Sequence, residues 1–146
     1  MRFTETRLPG AWLVDLEPHV DDRGFFARAC CEREFAVHGL ATRYPQINMS
    51  LNTRALTLRG MHYQAAPYRE AKLVRCMAGA IHDVIVDLRA GSQTRYQWVG
   101  AELTACNRRA LYVPPGCAHG FLTLQDDAEV LYQMGEFYVP EAAPWR

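Results

Sequence analysis

The sequence lacks the features that would place the protein in a membrane or on a nucleic acid. No window approaches the roughly 18 consecutive apolar residues of a membrane span. The N-terminus carries charged residues where a secretion signal would be apolar. Sixteen basic and sixteen acidic residues give a net charge of zero, so no overall field favours nucleic acid or an anionic membrane surface. Any anionic ligand would have to be held by a local cluster of cations.

The cysteines fit neither a disulfide framework nor a zinc ribbon. There are five of them among 146 residues, an odd number, and none forms a C-x-x-C pair. They favour free thiols in a reducing compartment, which predicts a cytoplasmic location. The sequence also has no Gly-rich phosphate loop and no G-x-S-x-G motif. These absences remove the P-loop and serine-hydrolase classes from consideration.

Short strand-like segments separated by turn residues make up most of the chain. They recur at a spacing of roughly 8–12 residues with Gly and Pro between them, which is typical of a sandwich, barrel or jelly roll. Ala78-Gly79-Ala80 is predicted to be a hairpin turn between the strands 72–77 and 81–88. One helix is predicted over 32–38, with Gly39 as its C-cap. The sequence therefore predicts an all-β fold with one short helix.

A histidine among cations is the first candidate for chemistry. Arg59 and His62 lie close together in the chain, and Lys72 opens a strand ten residues after His62. Nearby positive charge disfavours an imidazolium, so we expect the pKa of His62 to be low and its ring to be neutral near pH 7. A general base needs this property. A structural histidine, hydrogen-bonded inside the fold, is an equally good interpretation of this segment taken alone.

Two carboxylates interrupt the apolar strand 81–88. Asp83 and Asp87 share one face of it because side chains alternate along a strand. A carboxylate that points into a barrel needs a partner, and Arg59 or His62 is the expected partner of Asp83. The alternative is that this face of the strand meets solvent.

A second histidine and a tyrosine are ambiguous on their own. His119 follows the rigid turn Pro114-Pro115-Gly116, where a histidine that caps a backbone group is the favoured interpretation. Tyr132 lies on an apolar strand, where a core tyrosine is favoured. A metal site typically needs three or four converging ligands. Gln64 stands two residues after His62 and no carboxylate follows at a suitable spacing, so we expect no metal.

Eight segments in the same order and spacing resemble the dTDP-4-dehydrorhamnose 3,5-epimerase family. They are Asp22-Arg23-Gly24-x-Phe26, Gln46-Ile47-Asn48-x-Ser50, the segment 58–64, the segment 72–76, the segment 83–89, Gly91-Ser92-x-Thr94, Pro114-x-Gly116-x-Ala118-His119-Gly120-Phe121, and Tyr132. The resemblance runs from Phe3 to Trp145. It implies a cupin-type double-stranded β-helix, or jelly roll, as a single domain over residues 1–146 that works without a metal or cofactor.

The resemblance implies an isomerase that acts on a dTDP-linked 4-keto-6-deoxyhexose at C3, C5 or both, in deoxysugar biosynthesis of the dTDP-rhamnose type. A base removes a proton next to the ketone, a cation stabilises the enolate, and an acid returns a proton to the opposite face. By position, His62 matches the family's base, Tyr132 its proton donor and Lys72 its enolate stabiliser.

Further positions match those with which the family holds the nucleotide, the diphosphate or the sugar. They are Arg23, Phe26, Gln46, Asn48, Arg59, Lys72, His119 and Tyr138. Arginine suits phosphate because its guanidinium can bind two oxygens at once. Family members are homodimers that exchange β-structure and complete their nucleotide sites with residues of the neighbour. A homodimer is therefore expected here.

The chain also departs from the family pattern. Arg28 and Ala143 stand where the family has glutamates, and Phe137 replaces the first tyrosine of a Tyr-Tyr pair. The family's Trp-x-Asp-Pro segment, whose Asp pairs with the catalytic histidine, is not completed after Trp145. The domain is thus short at its C-terminus relative to the family. Either the chain is naturally short, the sequence is incomplete, or Asp83 or a group of a partner chain orients the base instead.

Two other functions stay open on the sequence alone. One is a related epimerase or isomerase that acts on another sugar nucleotide. The other is a catalytically inactive homologue that binds a sugar nucleotide.

Overall fold

The computed structural model describes residues 1–143; the predicted end of the resemblance, at Trp145, lies outside them. Within these residues the chain forms twelve β-strands, one α-helix and a short 3₁₀ turn, Pro140–Ala142. In chain order these are β1 (Arg2–Glu5), β2 (Trp12–Asp15), β3 (His19–Asp21), β4 (Gly24–Phe26), α1 (Glu32–Val37), β5 (Gln46–Asn52), β6 (Leu58–His62), β7 (Lys72–Ala78), β8 (Ala80–Asp87), β9 (Trp98–Thr104), β10 (Ala110–Val113), β11 (Cys117–Thr123) and β12 (Ala128–Met134).

The strands form two large sheets and one hairpin. The six-stranded sheet has the order β1-β2-β10-β7-β12-β5, the four-stranded sheet has the order β6-β11-β8-β9, and β3 pairs with β4. All of these pairs are antiparallel. The two large sheets pack into a cupin-type jelly roll, so the predicted all-β fold is confirmed.

Alternation along the strands builds the core. On β10, Leu111 and Val113 pack in the main core with residues of the four-stranded sheet such as Ile85. Tyr112 faces the other way and packs in a second cluster with Phe35 of α1. The period of two explains both clusters, because successive side chains of a strand point to opposite faces. The helix thus covers the outer face of the six-stranded sheet, while the main core joins the two sheets.

Two local predictions change in detail. The helix ends at Val37, one residue earlier than predicted, and Gly39 follows with a φ of +67°.

The hairpin predicted at 78–80 is wrong, because β7 belongs to the six-stranded sheet and β8 to the four-stranded sheet. The chain crosses between sheets here, at Gly79, whose φ is +70°. Two strands joined by a glycine turn have the same sequence pattern whether they pair or face each other.

The described residues contain no helix that is long and apolar enough to cross a membrane.

All five cysteines are free thiols, and Cys76 and Cys117 are buried. Burial raises the pKa of both buried thiols to about 11, so neither is a thiolate at neutral pH.

Candidate active site

Two adjoining cavities are lined by residues from both large sheets and share His62, Lys72 and Met134. The first, here called the sheet cavity, has a volume of about 250 Å³; its lining comprises Asn48, Ser50, Arg59, His62, Lys72, His119, Phe121, Tyr132 and Met134. The second, here called the loop cavity, has a volume of about 380 Å³; its lining comprises His62, Tyr63, Gln64, Glu70, Lys72, Met134, Tyr138 and Ala143. The structure thus gathers most of the residues that the sequence singled out.

Two facing glycines allow β6 and β11 to approach closely at the sheet cavity. A Cβ on Gly60 would lie 2.5 Å from the Cα of Gly120, and a Cβ on Gly120 would lie 2.8 Å from the carbonyl oxygen of Arg59. Side chains at these positions would force the strands apart. On one side of this contact His62 stands opposite His119 in the strand register, and on the other side Arg59 stands opposite Phe121. The close approach therefore helps to hold Arg59 and both histidines at one cavity.

The environment of His62 favours the neutral ring. Desolvation is the largest cause that lowers its pKa below the ordinary value, followed by the charges of Lys72, His119 and Arg59. The predicted direction is confirmed, although desolvation outweighs the neighbouring cations on which the prediction was based. No described residue is hydrogen-bonded to the ring. The imidazole is therefore neutral near pH 7 and able to accept a proton.

Asp83 pairs with His119, so the prediction that Arg59 or His62 is its partner is wrong. Its Oδ1 lies 2.6 Å from Nε2 of His119, and both side chains are buried. The reason is strand order: β8 pairs with β11, and β6 lies on the far side of β11. Arg59 instead donates a hydrogen bond to Oδ1 of Asn52. The interpretation of His119 as a cap of a backbone group is also wrong, because its ring is bonded to the Asp83 carboxylate.

Asp87 has a structural environment. Its side chain is fully buried and accepts hydrogen bonds from Arg89, Ser92 and Thr94. These bonds hold the pKa of the carboxyl well below its usual range. They account for the Gly91-Ser92-x-Thr94 segment, and the alternative of a solvent-facing strand is wrong for both carboxylates.

Tyr132 lines the sheet cavity from β12. Its hydroxyl is hydrogen-bonded to that of Ser50 on β5 at 2.9 Å. Burial raises the pKa of the phenol, so it is protonated at neutral pH and able to donate. The sequence prediction assigned nothing to Ser50, although a polar residue at every second position of β5 marks one face of that strand; these residues are Gln46, Asn48, Ser50 and Asn52.

Lys72 forms a buried ion pair that the sequence prediction missed. Its Nζ lies 3.1 Å from Oε1 of Glu70, and the two side chains are only 7% and 4% exposed. The same Nζ lies 3.5 Å from the carbonyl oxygen of His62. The sequence did contain a signal for this pair: Glu70 lies two residues before Lys72, which opens a buried strand.

Three of the predicted binding residues are linked around the cavities. The Gln46 side chain donates to Oδ1 of Asn48 at 3.2 Å and accepts from the backbone N–H of Tyr138 at 3.1 Å. Asn48 lines the sheet cavity and Tyr138 the loop cavity. This chain of contacts joins β5 to the segment that follows β12.

The structure does not bring Arg23 and Phe26 into either cavity. Both lie on the β3–β4 hairpin, where the Phe26 ring is 75% exposed. The Arg23 guanidinium is bonded to Asp21 at 2.5 Å and is 85% exposed. Arg28, just beyond the hairpin, pairs with Glu34 of α1 at 2.9 Å. The hairpin thus presents a cation and an aromatic ring away from the chain's own site.

Across residues 1–143, no three His, Cys, Asp or Glu side chains are grouped as a metal site requires. A neutral histidine, a protonated tyrosine and a buried lysine around one cavity define an acid–base enzyme on a cupin-type jelly roll.

The chain belongs to the dTDP-4-dehydrorhamnose 3,5-epimerase family of isomerases, whose model matches residues 5–144. It is 42% identical to the dTDP-4-dehydrorhamnose 3,5-epimerase of Methanothermobacter thermautotrophicus, over 99% of this chain and 78% of the relative.

Two solved structures are also similar to this chain. One is the dTDP-4-dehydrorhamnose 3,5-epimerase of Bacillus anthracis with TDP and PPi bound, at 40% identity and a TM-score of 0.94, covering 97% of this chain and 81% of that one. The other is a 3'-monoepimerase from Streptomyces bikiniensis in complex with dTDP-quinovose, at 31% identity and a TM-score of 0.85, covering 94% of this chain and 70% of that one.

Proposed function

We propose that this chain epimerises a dTDP-linked 4-keto-6-deoxyhexose at C3, C5 or both, in deoxysugar biosynthesis. One observation carries the proposal: His62 of the four-stranded sheet and Tyr132 of the six-stranded sheet line the same cavity. Inversion at a carbon requires that a proton leave one face and return to the other. A base and an acid on two facing sheets suit this requirement.

The reaction follows from the proton states of these groups. The C4 ketone acidifies the hydrogens on C3 and C5, and His62 accepts one of them. The electron pair of the broken C–H bond moves into an enolate, whose oxygen is stabilised by the ammonium of Lys72. Tyr132 then donates its proton to the carbon from the opposite face. After product leaves, His62 gives its proton to solvent and Tyr132 regains one from solvent.

The diphosphate and sugar are proposed to be held by the polar residues around the two cavities. Arg59, exposed at the sheet cavity, has the fork geometry that phosphate favours. Asn48 and His119 line the same cavity, and Tyr138 with its partner Gln46 lies at the loop cavity. Asp83 is proposed to act through His119 rather than through His62, because of the bond between them.

A homodimer is part of the proposal. Arg23 and Phe26 lie outside their own chain's cavities and are exposed, as expected of residues that complete the nucleotide site of a second copy. The edge strand β5 adds exposed apolar side chains that a partner would cover; these are Ile47, Met49 and Leu51. Arg23→Ala should therefore weaken dTDP binding, measured by calorimetry, even though Arg23 lines neither cavity of its own chain.

Two expectations from the sequence stay predictions. A cytoplasmic location rests on the free thiols, and a single jelly-roll domain over residues 1–146 rests on length and pattern. Neither affects the chemistry of the site.

Within this proposal, the similarity to a solved 3'-monoepimerase favours epimerisation at C3 alone. Epimerisation at one carbon or at both uses the same base, acid and enolate. The two outcomes differ only in which hydrogens exchange with solvent.

Proton NMR of dTDP-4-keto-6-deoxyglucose in D₂O tests the proposal. Loss of the C3 and C5 signals, with inverted configuration at both carbons of the product, would identify a 3,5-epimerase. Loss of the C3 signal alone, with inversion at that carbon, would identify a 3-epimerase. No exchange, with dTDP still bound, would refute epimerisation of this sugar and leave a nucleotide-binding homologue or an enzyme that acts on another sugar.

A further inference from the structure

Glu70 is a buried carboxylate at the catalytic cavity that the proposed mechanism does not use. It lies two residues before β7, lines the loop cavity, and is only 4% exposed. Its Oε1 is 3.1 Å from Nζ of Lys72. Its Oε2 accepts a hydrogen bond from Nε2 of Gln64 at 3.0 Å. Both carboxylate oxygens are therefore acceptors, the pattern of the ionised form.

Gln64 fixes this carboxylate from the opposite side. Its Nε2 also donates to the carbonyl oxygens of Tyr68 and Phe137, at 3.0 and 3.1 Å, and its Oε1 accepts from the backbone N–H of Val139 at 2.6 Å. The amide thus ties the segment that carries Glu70 to the segment after β12. A carboxylate held at both oxygens in a rigid setting can in turn hold the lysine.

The pair changes what the Lys72 charge can do. An unopposed ammonium at the cavity would attract any anion, including the diphosphate of the bound substrate, and so would bind ground state and transition state alike. Such uniform binding does not raise kcat. The ammonium of an ion pair is held in one position, and the carboxylate offsets part of its charge. It therefore attracts the distant diphosphate less, and it still stabilises the negative charge that develops on the enolate oxygen beside it.

We propose that Glu70 is a positioning residue that fixes the Lys72 ammonium for the enolate oxygen and offsets its attraction for the diphosphate. This inference rests on the proposed epimerase function. Glu70 would thus affect two properties of Lys72, namely the position of Nζ and its net charge. Two substitutions at Glu70 test these effects separately.

Glu70→Gln keeps the shape of the side chain and removes its charge. We expect kcat for deuterium exchange to fall about tenfold, a fraction of the loss on deleting an oxyanion donor. We also expect dTDP to bind several-fold more tightly in calorimetry, because the lysine is no longer offset. In a Lys72→Met background the same substitution should leave dTDP affinity unchanged. Burial is the main cause that raises the pKa of Glu70, and the charge of Glu136 adds to it in the same direction. The matched control is Glu136→Gln, since Glu136 is thus a nearby carboxylate that forms no ion pair with Lys72 among the described residues.

Glu70→Asp keeps the charge and withdraws the carboxylate by one methylene. We expect kcat to fall while dTDP affinity stays at the wild-type value. If Glu70→Gln does not fold, Glu70→Asp still tests the inference. Weaker dTDP binding in Glu70→Gln, an equal effect in Glu136→Gln, or wild-type kcat in Glu70→Asp would each overturn the inference. Lack of exchange by the wild-type protein would instead refute the proposed function, and the dTDP measurements would still decide the charge argument.

Discussion

Replacing Gly60 by alanine should open the contact between β6 and β11 and disable the site. The new Cβ would lie 2.5 Å from the Cα of Gly120 and 3.0 Å from the carbonyl oxygen of His119. These are backbone atoms, so no flexible side chain can move aside. The overlap should cost about 1–3 kcal/mol of unfolding free energy. The φ of +129° at Gly60 adds about 1–3 kcal/mol of backbone strain.

Gly24→Ala separates these two effects. Gly24 has a φ of +132°, and nothing lies within 4 Å of the position of its Cβ. An alanine at position 24 therefore has the backbone strain without the steric overlap. Both variants replace a glycine by alanine, so the loss of entropy in the unfolded chain is the same in both and cancels when they are compared. Urea denaturation of both variants should show that Gly60→Ala is less stable by about 1–3 kcal/mol.

The same substitution should reduce catalysis, because Arg59 and His62 stand on either side of Gly60 on β6. A displacement of about 1 Å in a catalytic group can cost about a hundredfold in rate. Deuterium exchange into the keto sugar measures this loss. Equal losses of stability in Gly60→Ala and Gly24→Ala would refute the argument that close strand approach, rather than backbone conformation alone, requires the glycine.

Four further predictions concern the ionisable groups at the site. His62→Ala should abolish exchange at every sugar carbon while dTDP binding, followed by calorimetry, changes little; wild-type exchange would remove His62 as the base. Because the pKa of His62 is lowered, the neutral base should persist as pH falls through the ordinary histidine range, and kcat/KM should decline only below it; a decline that begins above that range would contradict the pKa direction. Tyr132→Phe should allow solvent exchange but slow inversion, seen by comparing deuterium incorporation with product configuration, and inversion at the wild-type rate would place the acid elsewhere. Asp83→Asn should cost about 1.5–3 kcal/mol in denaturation, because the buried bond to His119 loses its charge; an unchanged midpoint would show that this charge contributes nothing.

The fold was predictable because local patterns carry most of it. Alternating strands such as β10 and the Gly39 helix end follow from backbone geometry that acts within a few residues. The assignment of strands to sheets does not, and the hairpin predicted at 78–80 shows why. Gly79 permits a reversal of the chain, but whether β8 pairs with β7 or crosses to the other sheet depends on β11 and β12, which lie far along the sequence.

The candidate site was predictable in its members and not in its pairings. The motif positions His62, Lys72 and Tyr132 do meet at one cavity. The partner of Asp83 was mispredicted, because the sequence does not show that β11 lies between β8 and β6. Glu70 was missed for a related reason: a lone glutamate near a lysine is usually a solvated surface pair, and only burial makes it otherwise.

The two-sheet architecture suits the inverting acid–base pair proposed for His62 and Tyr132. Side chains on one face of a single sheet approach a ligand from the same side, so two groups on neighbouring strands cannot act on opposite faces of one carbon. In this fold His62 projects from the four-stranded sheet and Tyr132 from the six-stranded sheet, and both line one cavity. The core that joins the sheets, with Val130 on β12 packed in the same cluster as Phe121 on β11, sets the separation between these two side chains. If they are the base and the acid, as proposed, inversion should depend on the packing between the sheets as well as on the two side chains.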